Sequence, residues 1–484
     1  MQLSGMAGFS LAMPQLLGCG SSAASPDAGL IDAGGEPLPD AAPGTAWWLR
    51  GNYGPVYDEV DTTALQVTGS IPSALNGNYL RNGPNPKDGE SAHWFLGHGM
   101  FHGLRLEGGQ AAWYRNKYAR TSFYNEQPFG KPGGFPDLRD THANTALVYH
   151  AERLLALYEV ALPFEIGADL SSVGVFDYGG ALTTAMAAHP KIDPVSGEMF
   201  FHGYSAFAPY LTVHKVDASG GLVSSTPITT PGPSMMHELQ LTESYVIFLD
   251  LPITFDFALV NSGLPYKWND TYGARIGVMP RDGSDKDVTW FDINPCYMFH
   301  TLNAHEVSDQ VIIEGVRHDR LWVDGPNMFA SEPALHRWTL NMTSGAVSEE
   351  QVDDRMIEFP QVAPAVRGRA HRYGYAVEFG DSPDGVASGP GQKLVKYDIQ
   401  TGSTQVLDFG PGIQPEEPLF IPKSSGGAED AGWIFSLTYD HAHNVSRLAI
   451  VDAQAFADGP VATIRLPQRV PFGFHGVWVP DSAA

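Results

Sequence analysis

From about Val56 onward one unit recurs: a strand, a short turn rich in Asp, Gly, Ser or Thr, and a second strand. It reads FHGLRL-EGGQ-AAWY at 101–114, LVYH-AER-LLALYE at 147–159 and LTVHKV-DASGG-LVSST at 211–226. Further copies lie at 275–293, 335–352, 394–409 and 447–467. A hairpin about every ~60 residues is near the length of a propeller blade. Apolar stretches such as YVIFLDL, QVIIEGVR, YGYAVEF, EPLFIP and GWIFSLTYD lie between the hairpins, as the central strands of four-stranded blades would. A pair of β-sandwiches would use the same strands, but no composition shift marks a boundary near the middle. The expected fold is all-β, a seven-bladed β-propeller in one domain over 46–484. Helical signal is weak; residues 62–76, 231–237 and 254–272 are expected to form short helices or loops.

The composition agrees. The 484 residues include 53 Gly, 37 Pro and 19 Tyr, a bias toward turns and strands. The formal net charge of −25 argues against nucleic acid and against an anionic bilayer as electrostatic partners. Apolar contact with a membrane remains open. Two cysteines, Cys19 and Cys296, exclude a disulfide framework and a cysteine metal site. Cys296 is expected in a strand, buried and inert.

Residues 1–45 form a Ser/Ala/Pro/Gly/Asp-rich leader that cannot bury a core and is expected to be disordered. Leu16-Leu17-Gly18-Cys19 looks like a bacterial lipoprotein processing site, with a flexible tether behind it. This predicts an exported protein anchored at a lipidated Cys19. The absence of Lys and Arg before Arg50 and the interruption at Pro14 argue the other way, for a cytoplasmic or peripheral protein.

The chain carries 17 histidines and no HExxH metal signature. A lone histidine is more often a structural hydrogen-bonder than a ligand. His93, His98 and His102 are read as solvated loop histidines rather than a metal site.

Longer strings say more. The stretch from Asn76 to Thr121, with its RNGPNP turn and its FHGLRL/AAWY hairpin, resembles the start of the carotenoid cleavage oxygenase family, which includes stilbene-cleaving dioxygenases and a retinoid isomerase. Four further strings, AAHPKIDP, MMHELQLTESYVIF, CYMFHTLNAHE and FGFHGVW, resemble the family's ligand motifs in the family's order, so the likeness spans roughly 55–480. It implies a seven-bladed propeller with an apolar dome of loops and short helices on one face. It also implies one Fe(II) per chain, held by His189, His237, His300 and His475, with open positions for dioxygen. Four neutral imidazoles would suit Fe, Zn, Cu or Ni. The likeness assigns Glu159, Glu358 and Glu417 to hold the far ring nitrogens of three of them. Each lies in an apolar stretch, where an unpaired carboxylate is costly and calls for a partner. Thr145 in HANTALVYH matches a threonine beside an open coordination position. Tyr118 in RNKYART matches a substrate-cavity aromatic, and Lys131 is a candidate partner for it in holding a phenol. The implied activity is cleavage of a C=C bond in an apolar conjugated substrate by O₂, an apocarotenoid first and a hydroxylated stilbene second. The dome offers a second route to peripheral membrane contact. Two positions depart from the family pattern: His98 stands where Asp is usual, and His305 where an aromatic is usual. His371 follows it.

Overall fold

The computed structural model describes residues 44–130, 137–260, 263–323, 331–381, 387–424 and 426–481. The strands form seven antiparallel blades, and each of the seven sequence-predicted hairpins supplies two neighbouring strands of a different blade. Blade 2 is Ala146–His150, Arg153–Leu157, Phe164–Ile166 and Ser172–Val175. Blade 3 is Lys191–Ile192, Met199–Tyr204, Leu211–Val216 and Leu222–Ile228. Blade 4 is Leu239–Leu241, Tyr245–Asp250, Arg275–Pro280 and Thr289–Asp292. Blade 5 begins at Thr301–Val307 and continues through Gln310–Arg317 and Ala334–Asn341. A long strand, Val347–Gln361, then serves two blades. Its first part pairs with Ala334–Asn341, and its last residues pair with Tyr373–Asp381 and open blade 6. Ala387–Asp398 and Ser403–Asp408 complete that blade.

The ring closes from both chain ends. Gln66–Gly69 adds an outer strand to blade 7, pairing with Pro460–Arg465. Gly476–Pro480 adds an inner strand to blade 1, pairing with Gly77–Pro84. Residues 66–69, expected as helix or loop, are therefore a strand, because the partner that completes them lies near the other end of the chain. In blade 7 the strand Gly432–Asp440 is buried along its whole length, with Leu419–Pro422 on one side and Val445–Asp452 on the other.

Apolar side chains seal blade against blade. Val246, Phe248, Ile276 and Val278 of blade 4 share one core with Val311, Ile313 and Trp338 of blade 5. Each buried Val, Ile or Phe contributes about 1.5–3 kcal/mol, so these seams hold the ring. Over one face, Ile253–Phe255 and Tyr266–Trp268 form a small separate ladder beside the short 3₁₀ turn Phe257–Leu259. Among the described residues all helices are such short 3₁₀ turns, and none is long and apolar enough to cross a membrane.

Candidate metal centre

The first strands of neighbouring blades touch around the axis, as Lys191–Ile192 does Leu239–Leu241, and Leu239–Leu241 does Thr301–Val307. His189, His237, His300 and His475 stand one or two residues ahead of such strands in blades 3, 4, 5 and 1. Their rings meet. The centroid of His189 lies 4.4 Å from that of His237, 5.1 Å from His300 and 4.6 Å from His475. His300 and His475 are 4.9 Å apart. Ligand atoms of His189, His237 and His300 all fall within 4.8 Å of one another.

The residues fit a metal ion. His189 Nε2 and His300 Nε2 are buried and have no hydrogen-bond partner in the protein. A buried polar atom left alone costs about 1–3 kcal/mol, which coordination would remove. Burial holds His189 well below the ordinary imidazole range and lowers His475, so both favour the neutral form that ligates.

Three glutamates surround the histidines. His300 Nδ1 lies 2.5 Å from Glu358 Oε2, and His475 Nδ1 lies 2.8 Å from Glu417 Oε1. His237 Nδ1 lies 3.2 Å from Glu159 Oε1, without the alignment of a hydrogen bond. Burial alone would raise these carboxyl groups, but the facing imidazoles outweigh it and hold all three below the ordinary range. Three buried carboxylates around the histidine rings make an environment that a cation completes. The same carboxylates accept backbone amides: Ala188 N on Glu159, Phe359 N on Glu358 and Gly476 N on Glu417. They thus position the strand entries as well as the rings.

The strand carrying Glu358 is irregular at this point. Its register shifts between Glu358 and Gln361, and Phe359 adopts a φ of 54°. A bulge re-aims side chains, and a positive φ on a bulky residue is held only by its surroundings. The result is Glu358 under His300 and the Phe359 ring stacked on His300, 5.2 Å between centroids.

A cavity of about 600 Å³ opens onto His237, His300 and His475. Its walls are mostly apolar, with Phe95, Tyr204, Phe255, Phe299, Phe359 and Phe474 among them. Thr145 lines it too, its hydroxyl donating to Asn144 Oδ1 at 3.0 Å. On the axis a more polar cavity of about 870 Å³ reaches His189, His300 and His475 past Lys191, Glu238, Gln240 and Arg367.

Other expected positions fall elsewhere. Tyr118 is not among the residues lining the apolar cavity. Its buried hydroxyl donates to Val56 O at 3.0 Å and accepts from Asn85 Nδ2 at 2.5 Å. Lys131 and Cys19 lie outside the described residues. His93, His98 and His102 are buried, not solvated. His93 Nδ1 accepts from Phe95 N, His98 Nδ1 accepts from Lys87 N, and His102 Nδ1 lies 2.9 Å from the Tyr114 hydroxyl. Cys296 is buried as expected but outside the strands, with its thiol pushed up to about 12 by burial.

Sequence reasoning missed the groups that steady the glutamates. Tyr204 Oη donates to Glu159 Oε2 at 2.9 Å, His318 Nε2 lies 3.1 Å from Glu358 Oε1, and Gln361 Nε2 donates to Glu417 Oε1 at 2.7 Å. Glu238, beside His237, accepts Thr301 N at 2.5 Å and so joins blade 4 to the entry of blade 5. A signal was available for Glu238: a carboxylate set between buried residues at a strand entry needs a partner.

A seven-bladed propeller with an axial histidine cluster, three neighbouring carboxylates and an apolar cavity beside it is an arrangement able to hold a metal ion next to an apolar ligand. The family described as "Retinal pigment epithelial membrane protein" matches residues 53–480. A "Carotenoid cleavage oxygenase" of Mycobacterium tuberculosis is 36% identical over 492 residues, 90% of this chain and 98% of that one. Among solved structures, the lignostilbene dioxygenase of Pseudomonas brassicacearum superposes with a TM-score of 0.82 at 26% identity, covering 90% of this chain and 99% of its own. Cobalt-substituted Synechocystis ACO gives 0.79 at 29% identity, covering 90% and 98%. The chain belongs to the carotenoid cleavage oxygenase family and is an oxygenase.

Proposed function

We propose that this protein is a non-haem Fe(II) dioxygenase that cleaves a C=C bond of an apocarotenoid-type polyene into two carbonyl products. The observation that carries this reading is the placement of buried, unpartnered imidazole nitrogens at the floor of an aromatic-walled cavity. His189, His237, His300 and His475 would hold the iron, which when bound supplies the dioxygen chemistry. The chain itself supplies binding and position. Phe95, Phe299, Phe359 and Phe474 offer flat apolar surface to a conjugated chain and keep water from it. Thr145, with its hydroxyl spent on Asn144, borders the histidines without offering a base. Glu358 and Glu417 fix the rings of His300 and His475, so the double bond that the cavity holds nearest to them is the one cleaved.

A stilbene is the second reading, favoured by the likeness to the lignostilbene dioxygenase. The commitment of the Tyr118 hydroxyl to Val56 and Asn85 weighs against a phenol clamp at that residue.

The test is to incubate Fe(II)-loaded protein in air with an equal mixture of an apocarotenal and a hydroxystilbene, and to identify the aldehydes by mass spectrometry. Polyene-derived aldehydes are expected. Benzaldehydes would transfer the protein to the stilbene reading, and no aldehyde from iron-loaded protein would overturn both. His300→Ala and His475→Ala should each abolish iron retention and cleavage; activity retained in either refutes the assignment.

A further inference from the structure

Farther out along blade 5 the chain gathers a second group of ligand-type side chains. His305 lies on the strand Thr301–Val307, Glu314 on the adjoining strand Gln310–Arg317, and His371 at the end of the segment that leads into Tyr373–Asp381. His305 is five residues beyond His300, roughly 16 Å along an extended strand, so this group is separate from the axial centre. One ligand atom from each of the three residues lies within 4.8 Å of the others. His305 Nδ1 is 3.8 Å from Glu314 Oε2, and the two imidazole rings stand 5.8 Å apart at 85°.

All three side chains aim an unsatisfied atom at this place. His305 Nδ1, Glu314 Oε2 and His371 Nε2 are each buried and each without a hydrogen-bond partner. Three such atoms in one spot are costly to bury unless something occupies the space between them. The other polar atoms of Glu314 and His371 have neighbours of their own. Glu314 Oε1 accepts from Arg337 Nε at 3.0 Å, leaving Oε2 free. His371 Nδ1 lies 3.2 Å from Asn303 Nδ2, which donates to the carbonyls of Val366 and Arg369, so that contact does not fix the ring's tautomer. The Arg337 charge is offset by Glu314 and by Glu350, whose Oε1 is 2.6 Å from Nη1.

We propose that His305, Glu314 and His371 form a second metal site, selective for a borderline divalent cation of the Zn(II) type. Two imidazoles and one carboxylate are a recurring zinc donor set, with bonds of about 2.0–2.2 Å. The gaps between the donor atoms close onto a shared ion with small side-chain movements. The ion would tie blade 5 to the 364–373 segment. That segment is already gripped by Asn303 and carries Arg367 into the axial cavity, so the site is a structural staple rather than a second reaction centre.

The test uses the full chain, stripped with a chelator, equilibrated with Zn(II) and desalted, then analysed for zinc beside His305→Phe and Glu314→Gln. The wild type is expected to retain about one zinc per chain more than either variant, and to gain melting temperature on zinc addition that both variants lack. Equal zinc in all three proteins overturns the proposal, and would mean that the three atoms enclose water. Should His305→Phe not fold, a chain carrying both His189→Ala and His475→Ala decides the matter. With its axial centre broken it should still hold about one zinc, and none would overturn the site.

Discussion

Glu358→Gln separates the charge of a carboxylate from its shape. In the structure Oε2 receives both His300 Nδ1 at 2.5 Å and Phe359 N at 2.7 Å, while Oε1 faces His318 Nε2 at 3.1 Å. A glutamine with its oxygen at the Oε2 position keeps the first two bonds. Its amide would then face His318, which can present Nε2 as acceptor and donate from Nδ1 to Ser331 Oγ, 2.6 Å away. Geometry survives and the negative charge does not. Loss of a carboxylate behind a ligating imidazole typically weakens metal binding about 10–100-fold, or about 1.4–2.7 kcal/mol. Glu358→Ala removes the acceptor altogether and strands three donors, each at about 1–3 kcal/mol, so it should also lower the stability of the metal-free protein. The assays are an anaerobic Fe(II) titration against a competing chelator and a thermal melt of the stripped protein. Glutamine should weaken iron binding and leave the melt nearly unchanged, while alanine should shift both. A glutamine variant that binds iron as tightly as the wild type would refute the reasoning.

Three further outcomes are expected. Asp193 accepts Val195 N and Ser196 N and pairs with Arg281, which together outweigh burial and hold its carboxyl down at about 2. Its folded value is below the unfolded one, so it contributes about 2 kcal/mol above pH ~4 that is lost as pH falls through about 2; Asp193→Asn should flatten the acid limb of the stability curve, and an unchanged limb would count against the pairing. Tyr204→Phe deletes the hydroxyl that donates to Glu159 Oε2 and should cost about 1 kcal/mol in a denaturant titration; no change would mean that Glu159 is supported without it. A Cβ at Gly99 would sit 2.2 Å from Ala143 O and 2.7 Å from His142 O, so Gly99→Ala should destabilise by about 1–3 kcal/mol, and a wild-type melt would contradict that packing.

The hairpins were readable because a strand–turn–strand unit is written in consecutive residues: alternating apolar positions and a polar turn. Ring closure was not. Gln66–Gly69 is exposed throughout and becomes a strand only by pairing with Pro460–Arg465. The glutamates were assigned by the family resemblance, with the apolar stretch around each carboxylate as a supporting hint, whereas their own supports, Tyr204, His318 and Gln361, carry no such signal. Tyr118 illustrates the converse. Strand alternation places it on an inward face but cannot say which interior space that face meets, and Val56 O claimed its hydroxyl. His93, His98 and His102 lie in or beside a turn-rich stretch that suggests solvent, yet the stretch folds back on the ring: His98 stacks on Phe123 at 4.5 Å and His93 packs against Trp48 and Phe95.

The blade repeat also explains why no short metal signature exists in this chain. Each blade brings a side chain to the histidine cluster or its surroundings near the start of its inner strand: Thr145, His189, His237, His300, Glu358, Glu417 and His475, in blades 2 through 7 and then 1. The spacing within this set therefore follows the blade, not the helix turn or hairpin that brings ligands together in compact motifs. His300 and Glu358 are 58 residues apart, as are Glu417 and His475. A ligand and its supporting carboxylate consequently sit on different blades, and their hydrogen bond is a bond between blades. His475 adds a further condition, since it precedes the strand Gly476–Pro480 that closes the ring on Gly77–Pro84. The fourth imidazole is thus carried by the closing strand's entry, so a cation held by the four histidines would also stabilise the closed ring.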